Sequence, residues 1–141
     1  MRRRPIYESA ADRDRQGAVV LKLERAFGLP AHPPKDPMAP FDAVFVFAHH
    51  PCAVEIKVRR NERDRYPTYM LSEAKYTALC ALGDRGINAL LAVQWTDQLG
   101  VVRLPTEHTV STGGRYDRGD SRDVERVVLI PTASFTRVPE D

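Results

Sequence analysis

The chain has 141 residues, 43% of them hydrophobic and 28% charged, enough to bury the core of a single domain and too apolar to argue for disorder. The formal net charge of only +2 would not by itself identify a binder of polyanions. No apolar run has the length of a membrane span, and Met1-Arg2-Arg3-Arg4 lacks a following apolar signal core, so a cytoplasmic protein is expected. Cys52 and Cys80 make neither a disulfide nor a metal framework and are expected as thiols.

The first predicted element is a helix from about Tyr7 to Phe27. Val19, Val20, Leu23 and Phe27 recur at helical spacing, and Gly28 is placed to end it. The stretch from Pro30 to Pro40 cannot be regular helix, because each proline removes an amide donor and restricts its predecessor. A short edge strand or an extended loop is expected there. Phe41–Phe47 and Ala53–Arg59 are rich in Val, Phe and Ile and read as two strands, joined by a five-residue turn from Ala48 to Cys52. A polar segment, Arg60 to Pro67, then leads to a second helix from about Tyr69 to Leu82, with Leu71, Ala74, Ala78 and Leu82 along one side. Strands at Ala89–Trp95 and Leu99–Leu104, a polar loop from about Glu107 to Asp123 and a last strand at Val124–Pro131 complete a mixed α/β domain.

The hairpin carries the chemistry. Side chains alternate along a strand, and cross-strand partners share a face. A turn centred near Ala48-His49 puts Asp42 opposite or almost opposite Glu55. The apolar sets (Ala43 and Phe45 with Val54 and Ile56) then share one face, and Asp42, Glu55 and Lys57 share the other. Two carboxylates and a lysine on a half-buried sheet face are costly unless they serve one another or a ligand. Carboxylates, with the Ile56 carbonyl beside them, are oxygen ligands suited to Mg²⁺ or Mn²⁺. A structural ion pair is the other reading of the same residues. On the first helix, Glu8 falls within roughly 20° of Val19 at about 100° per residue, so it points to the core side and could reach a site on the sheet. Favourable placement in a first helical turn explains it equally.

Between Lys57 and Arg65 lie five basic residues (Lys57, Arg59, Arg60, Arg63, Arg65) against Glu62 and Asp64, which suits phosphate contacts or a solvated charged loop. His49, His50 and Cys52 lie close together but lack a second ligand pair at zinc spacing. Ser72 and Ser111 have no His-Asp arrangement for nucleophilic chemistry.

Taken together, Glu8, Asp42 within Pro40-Phe41-Asp42-Ala43, Glu55-Ile56-Lys57 within Ala53–Arg59, the segment Leu71-Ser72-Glu73-Ala74-Lys75 and the strand Leu90–Trp95 resemble the PD-(D/E)XK nuclease superfamily. Its small phage or prophage members, of the VRR-NUC or Holliday junction resolvase-like kind, are the nearest in pattern. The likeness runs in order from about Tyr7 to Leu104 and leaves 105–141 as a C-terminal extension within one nuclease-like domain, 1–141. It implies a restriction-endonuclease-like αβββαβ core, a central mixed sheet flanked by helices with extra C-terminal strands. It also implies Mg²⁺- or Mn²⁺-dependent hydrolysis of DNA, with branched or recombining DNA as candidate substrates. Asp42 and Glu55 would bind the metal with the Ile56 carbonyl, Glu8 would join them as ligand or neighbour, and Lys57 would assist the water. Arg59, Arg60, Arg63, Arg65 and Lys75 would face the nucleic acid. The implied partners are DNA and a second copy of the chain, with no membrane and no nucleotide cofactor, in the cytoplasm of a bacterium or phage-infected host. In two places the sequence departs from the pattern. Phe41 separates the proline from the aspartate, and Lys75 stands where several relatives carry glutamine, leaving phosphate contact and a surface lysine both open there. A non-catalytic DNA-binding or protein-interaction module on the same fold is the alternative function.

Overall fold

The computed structural model describes residues 10–114 and 124–140. The elements are α1 (Ala10–Phe27), β1 (Ala43–Phe47), β2 (His50–Val58), β3 (Thr68–Ser72), α2 (Glu73–Ala81), β4 (Asn88–Gln94), β5 (Leu99–Leu104), β6 (Thr109–Gly114), β7 (Val124–Pro131) and β8 (Thr136–Arg137). From α1 to β4 this is the αβββαβ order. The larger sheet is mixed, with strand order β1-β2-β4-β5-β8, and a second sheet runs β3-β7-β6. Only β2 and β4 pair in parallel within the larger sheet. Among the described residues no helix is long and apolar enough to cross a membrane.

Strand alternation sorts the core into two layers. Ala43, Phe45, Val54, Ile56, Ala92 and Leu99 face α1, which contributes the buried Val19 and Leu23 with the half-buried Val20 and Phe27 behind them. Ala53, Leu91, Val93 and Val102 point the other way, onto Tyr76 and Leu79 of α2 and onto Leu71, Val128 and Ile130 of the second sheet. Each layer removes apolar surface from water on its own side of the larger sheet. The end of α1 at Phe27 matches the sequence, as does Gly28, which at φ of +67° ends the helix and donates its amide to the Glu24 carbonyl; the expected start near Tyr7 lies outside the described residues.

Several elements differ from expectation, each for a physical reason. The segment Thr68–Ser72 is a strand, and the second helix begins only at Glu73, with Tyr76 and Leu79 buried and Ala74 exposed. Tyr69 and Leu71 are buried and Met70 exposed, an alternation of two that a window taken as helical overlooks. Ser72 then caps α2, its Oγ accepting the Lys75 amide at 3.1 Å. Part of the expected polar loop is β6, a strand with little apolar signal that exists through its pairing with β7. The C-terminal extension is also woven into the core, since β7 pairs with β3 and buries Val127, Val128 and Ile130. Between Pro30 and Pro40 the chain is irregular, with an isolated bridge between His32 and Val44 and a turn closed by the Ala39 amide on the Asp36 carbonyl at 3.0 Å.

The hairpin turn is tighter than five residues. Phe47 pairs with His50, so Ala48 and His49 alone make the turn, at φ of +48° and +73°. Positive φ at both central positions is the geometry of a type I′ turn, which matches the strands' twist but disfavours side chains other than Gly, Asn or Asp. Asn at 48 with Gly at 49 should therefore stabilise the protein by about 1 kcal/mol, read as a raised urea midpoint at unchanged slope. A lowered midpoint would show that His49 makes contacts worth more than its backbone strain.

Candidate active site

The expected face of the hairpin forms. Asp42 lies immediately before β1, and its amide donates to the Val54 carbonyl at 2.9 Å. Its carboxylate Oδ2 accepts the Ile56 amide at 2.8 Å. That bond fixes the side chain beyond the end of β1, against the exposed edge of β2. The amide and carbonyl of one strand residue point to the same side, so the Ile56 carbonyl is directed to this edge as well, where β1 has ended.

Glu55 lies on the other side-chain face from Ile56 and is 2% exposed, alone among the described charged residues in being buried. Its Oε2 is 3.0 Å from the Lys75 ammonium and 3.6 Å from that of Lys57. No donor among the described residues reaches Oε1. Burial pushes the Glu55 carboxyl up to about 7, its hydrogen bond with the Asp42 carboxyl and the charge of that group add to the shift, and Lys57 and Lys75 pull against it. A buried carboxyl paired with another, with an oxygen that no N–H donor among the described residues satisfies, is a cation-seeking arrangement. Two carboxylates and a strand carbonyl form an oxygen donor set suited to a hard divalent ion.

Lys75 sits closer to Glu55 than Lys57 does, a juxtaposition sequence reasoning missed by assigning Lys75 to DNA. Its ammonium also donates to the Pro40 carbonyl at 3.2 Å. The available signal was Ser72-x-x-Lys75: a cap serine fixes where α2 starts, and hence which residue stands in its first turn. Tyr69, expected at the start of the second helix, is buried in β3. Its hydroxyl accepts from Arg59 at 2.6 Å, and its own ionisation is pushed up by burial.

The basic stretch divides. Arg60 and Arg65 are exposed, Arg65 lying 5.5 Å from the Tyr66 ring centroid. Arg59 is half-buried over the Tyr69 ring. The Arg63 guanidinium donates to Gln98 Oε1 at 2.9 Å and to the carbonyls of Thr132 and Phe135 at 2.6 and 3.0 Å. This arginine, expected to face the nucleic acid, ties the loop before β3 to the loop before β8. Its planar fork suits that task of gathering carbonyls. Glu8 lies outside the described residues. His49 is in the hairpin turn, while His50 and Cys52 are in β2, Cys52 being buried with its thiol pushed up to about 11 by burial. Among the described residues no group of three or more His, Cys, Asp or Glu side chains is arranged around a common point.

An αβββαβ core that sets a buried Glu-x-Lys strand beside an aspartate, beneath the second helix, defines a PD-(D/E)XK nuclease. The chain belongs to the family described as "Phage putative PDDEXK endonuclease", whose model matches residues 2–138. Among solved structures it is similar to Hjc, a Holliday junction resolvase from the archaeal hyperthermophile Archaeoglobus fulgidus, with a TM-score of 0.56 and 16% sequence identity over 84% of this chain and 89% of that one. At that identity the likeness speaks for the fold. A comparison with curated proteins gave no match.

Proposed function

We propose that this endonuclease hydrolyses phosphodiester bonds of branched DNA with Mg²⁺ or Mn²⁺, using Asp42, Glu55 and Lys57 as its catalytic set. The observation that carries the reading is the buried Glu55 carboxyl beside Asp42, with one oxygen that no donor among the described residues satisfies. Asp42, Glu55 and the Ile56 carbonyl would hold the cation, with Glu8 as a further ligand or neighbour. When bound, such an ion supplies positive charge that polarises a phosphodiester oxygen and eases deprotonation of water.

The chain's own residues do the rest. The bond from the Ile56 amide keeps the Asp42 carboxylate turned toward the edge of β2, so it needs little reorganisation to act. Lys57 is half-buried, with its ammonium at the rim of the site, where it can donate to the attacking water or to a phosphate oxygen gaining charge. Arg60 and Arg65, both exposed on the segment after β2, would contact backbone phosphates on either side of the scissile bond. A homodimer would bring two such sites to one junction, in the cytoplasm of a phage-infected host.

Branched substrate is the inference drawn from the resolvase neighbour, which shares the fold. The test compares cleavage of a four-way junction, linear duplex and single strand of matched sequence in Mg²⁺, in Mn²⁺ and in EDTA. The expected result is cleavage of the junction in preference to the others, abolished by chelator. Equal cutting of all three would refute the junction preference, and cutting in EDTA would refute the cation dependence. Salt-sensitive binding without nicking in any metal would identify a non-catalytic DNA-binding module instead.

A further inference from the structure

We propose that Lys75 is the internal counter-cation of the site: it holds Asp42 and Glu55 in place before a divalent ion arrives, and it gives way when the ion binds. The inference rests on the reading of Asp42 and Glu55 as the cation-binding pair. Three observations lead to it.

The Lys75 ammonium is 3.0 Å from Glu55 Oε2, closer than Lys57, and it also donates to the Pro40 carbonyl at 3.2 Å. One charge thereby ties together the first turn of α2, the centre of β2 and the chain just before Asp42. The position is also poor for a lysine on local grounds. Lys75 follows the Ser72 cap by three residues, so it lies at the N-terminal end of the helix, where the macrodipole opposes positive charge. Glu55 and the Pro40 carbonyl are what offset that placement.

Charge counting completes the argument. When Asp42 and Glu55 carry their full negative charge, as cation binding requires, Lys57 and Lys75 balance it within the site. A divalent ion entering this set would leave two uncompensated positive charges in a largely buried place, which is costly. One ammonium therefore has to withdraw from Glu55. Lys75 is the one that must move, because it occupies Oε2 at the shorter distance and stands on a different element from the ligands. A phosphate group is the natural new partner for the displaced ammonium, since lysine binds phosphate as a compact, mobile point charge. Lys75 is thus a positioning residue in the cation-free protein.

The test measures Mn²⁺ binding by calorimetry without DNA, and thermal melting in EDTA, for the full-length wild type, Lys75→Met, Lys75→Arg, Lys57→Met and Glu55→Gln. Lys75→Met should bind Mn²⁺ about ten-fold more tightly than wild type, because a competing charge is gone. It should also melt at lower temperature in EDTA and recover most of that difference in saturating Mn²⁺. Lys57→Met should show smaller changes in both, and Lys75→Arg, which keeps the charge, should bind Mn²⁺ as wild type does. Unchanged Mn²⁺ affinity together with unchanged melting in Lys75→Met is what a lysine that only contacts phosphate would give, and it overturns the proposal. If wild type binds Mn²⁺ and Glu55→Gln does not, that failure belongs to Lys75 alone. A wild type that binds no Mn²⁺ overturns both readings.

Discussion

Replacing Glu55 by Gln should lower cleavage by roughly 10³-fold or more and, in the same variant, flatten the fall in stability of the cation-free protein between acid and neutral pH. Both effects come from one carboxyl. On the proposed reading the substitution removes a ligand oxygen and the charge that the reaction needs, while the isosteric amide leaves the strand and its packing intact. The stability effect follows from the direction of the shift. Folding raises this carboxyl from an ordinary value of about 4.5 to about 7, mainly by burial. Between those values the folded protein holds a proton that the unfolded chain has released, so stability falls as pH rises through the window and is level above it. At 1.36 kcal/mol per pH unit the window is worth about 3 kcal/mol, the upper end of what one buried carboxyl can contribute. Urea denaturation of wild type and Glu55→Gln in EDTA at pH 5 and pH 8 gives the contribution by difference, since all other groups are common to both. A difference between the two proteins that is the same at both pH values would show that Glu55 is an ordinary carboxyl in the fold. Cation binding requires the ionised form, so affinity for Mn²⁺ should also weaken as pH drops below about 7. Asp42→Ala should lose activity to a similar degree, for it removes the neighbouring carboxylate along with the bond that fixes the edge of β2.

How much of this was legible in the sequence depended on how local the cause was. The hairpin face could be read because alternation and a turn centred near Ala48-His49 fix the register within one stretch of chain, even with the turn taken as longer than it is: Ala43 pairs with Val54, which brings Asp42 to Glu55. The helix stripe Val19, Val20, Leu23 and Phe27 could be read for the same reason. The segment Thr68–Ser72 could not, because Leu71 fits a helical interval with Ala74, Ala78 and Leu82 as well as it fits alternation with Tyr69. Its partner β7 begins 52 residues after the end of β3, and that pairing decided the matter. β6 carries Ser and Thr where a buried strand would carry Val or Ile, so only its pairing with β7 marks it as a strand. At the site, the Asp42–Glu55 pair was set by local register, whereas the Lys75–Glu55 contact depends on where α2 crosses the sheet. Arg63 shows the same limit in reverse. Nothing beside it in sequence shows that its guanidinium is taken by carbonyls 69 and 72 residues further on.

Adding a single methyl group at Gly100 should destabilise the protein by about 2 kcal/mol, and the larger Gly100→Val by more, while Gly83→Ala should be neutral or slightly stabilising. Gly100 lies in β5 between Val93 of β4 and Arg137 of β8. A Cβ there would meet Trp95 Cζ3 at 2.9 Å and Phe135 Cβ at 3.2 Å, the first closer than side-chain carbons pack. Neither ring can retreat into solvent, for both are buried and stand edge-to-face at 5.2 Å. Tyr69 closes the cluster, 6.5 Å from Trp95 and 6.0 Å from Phe135. Relief must therefore come from moving β8 or the aromatic cluster, both of which disturb packed contacts. The second route leads to the site, because the Tyr69 hydroxyl accepts from Arg59, two residues along the chain from Lys57. Gly83, by contrast, has open space where its Cβ would stand, so alanine there only restricts the unfolded chain. Trp95 is the chain's sole tryptophan, so its fluorescence reports on the strained contact directly. Gly100→Ala should shift the native emission as well as lower the urea midpoint. A midpoint and a native spectrum both equal to wild type would mean that the layer between β5 and the aromatic cluster has room to spare, and that Tyr69 and Arg59 are held by something other than this packing.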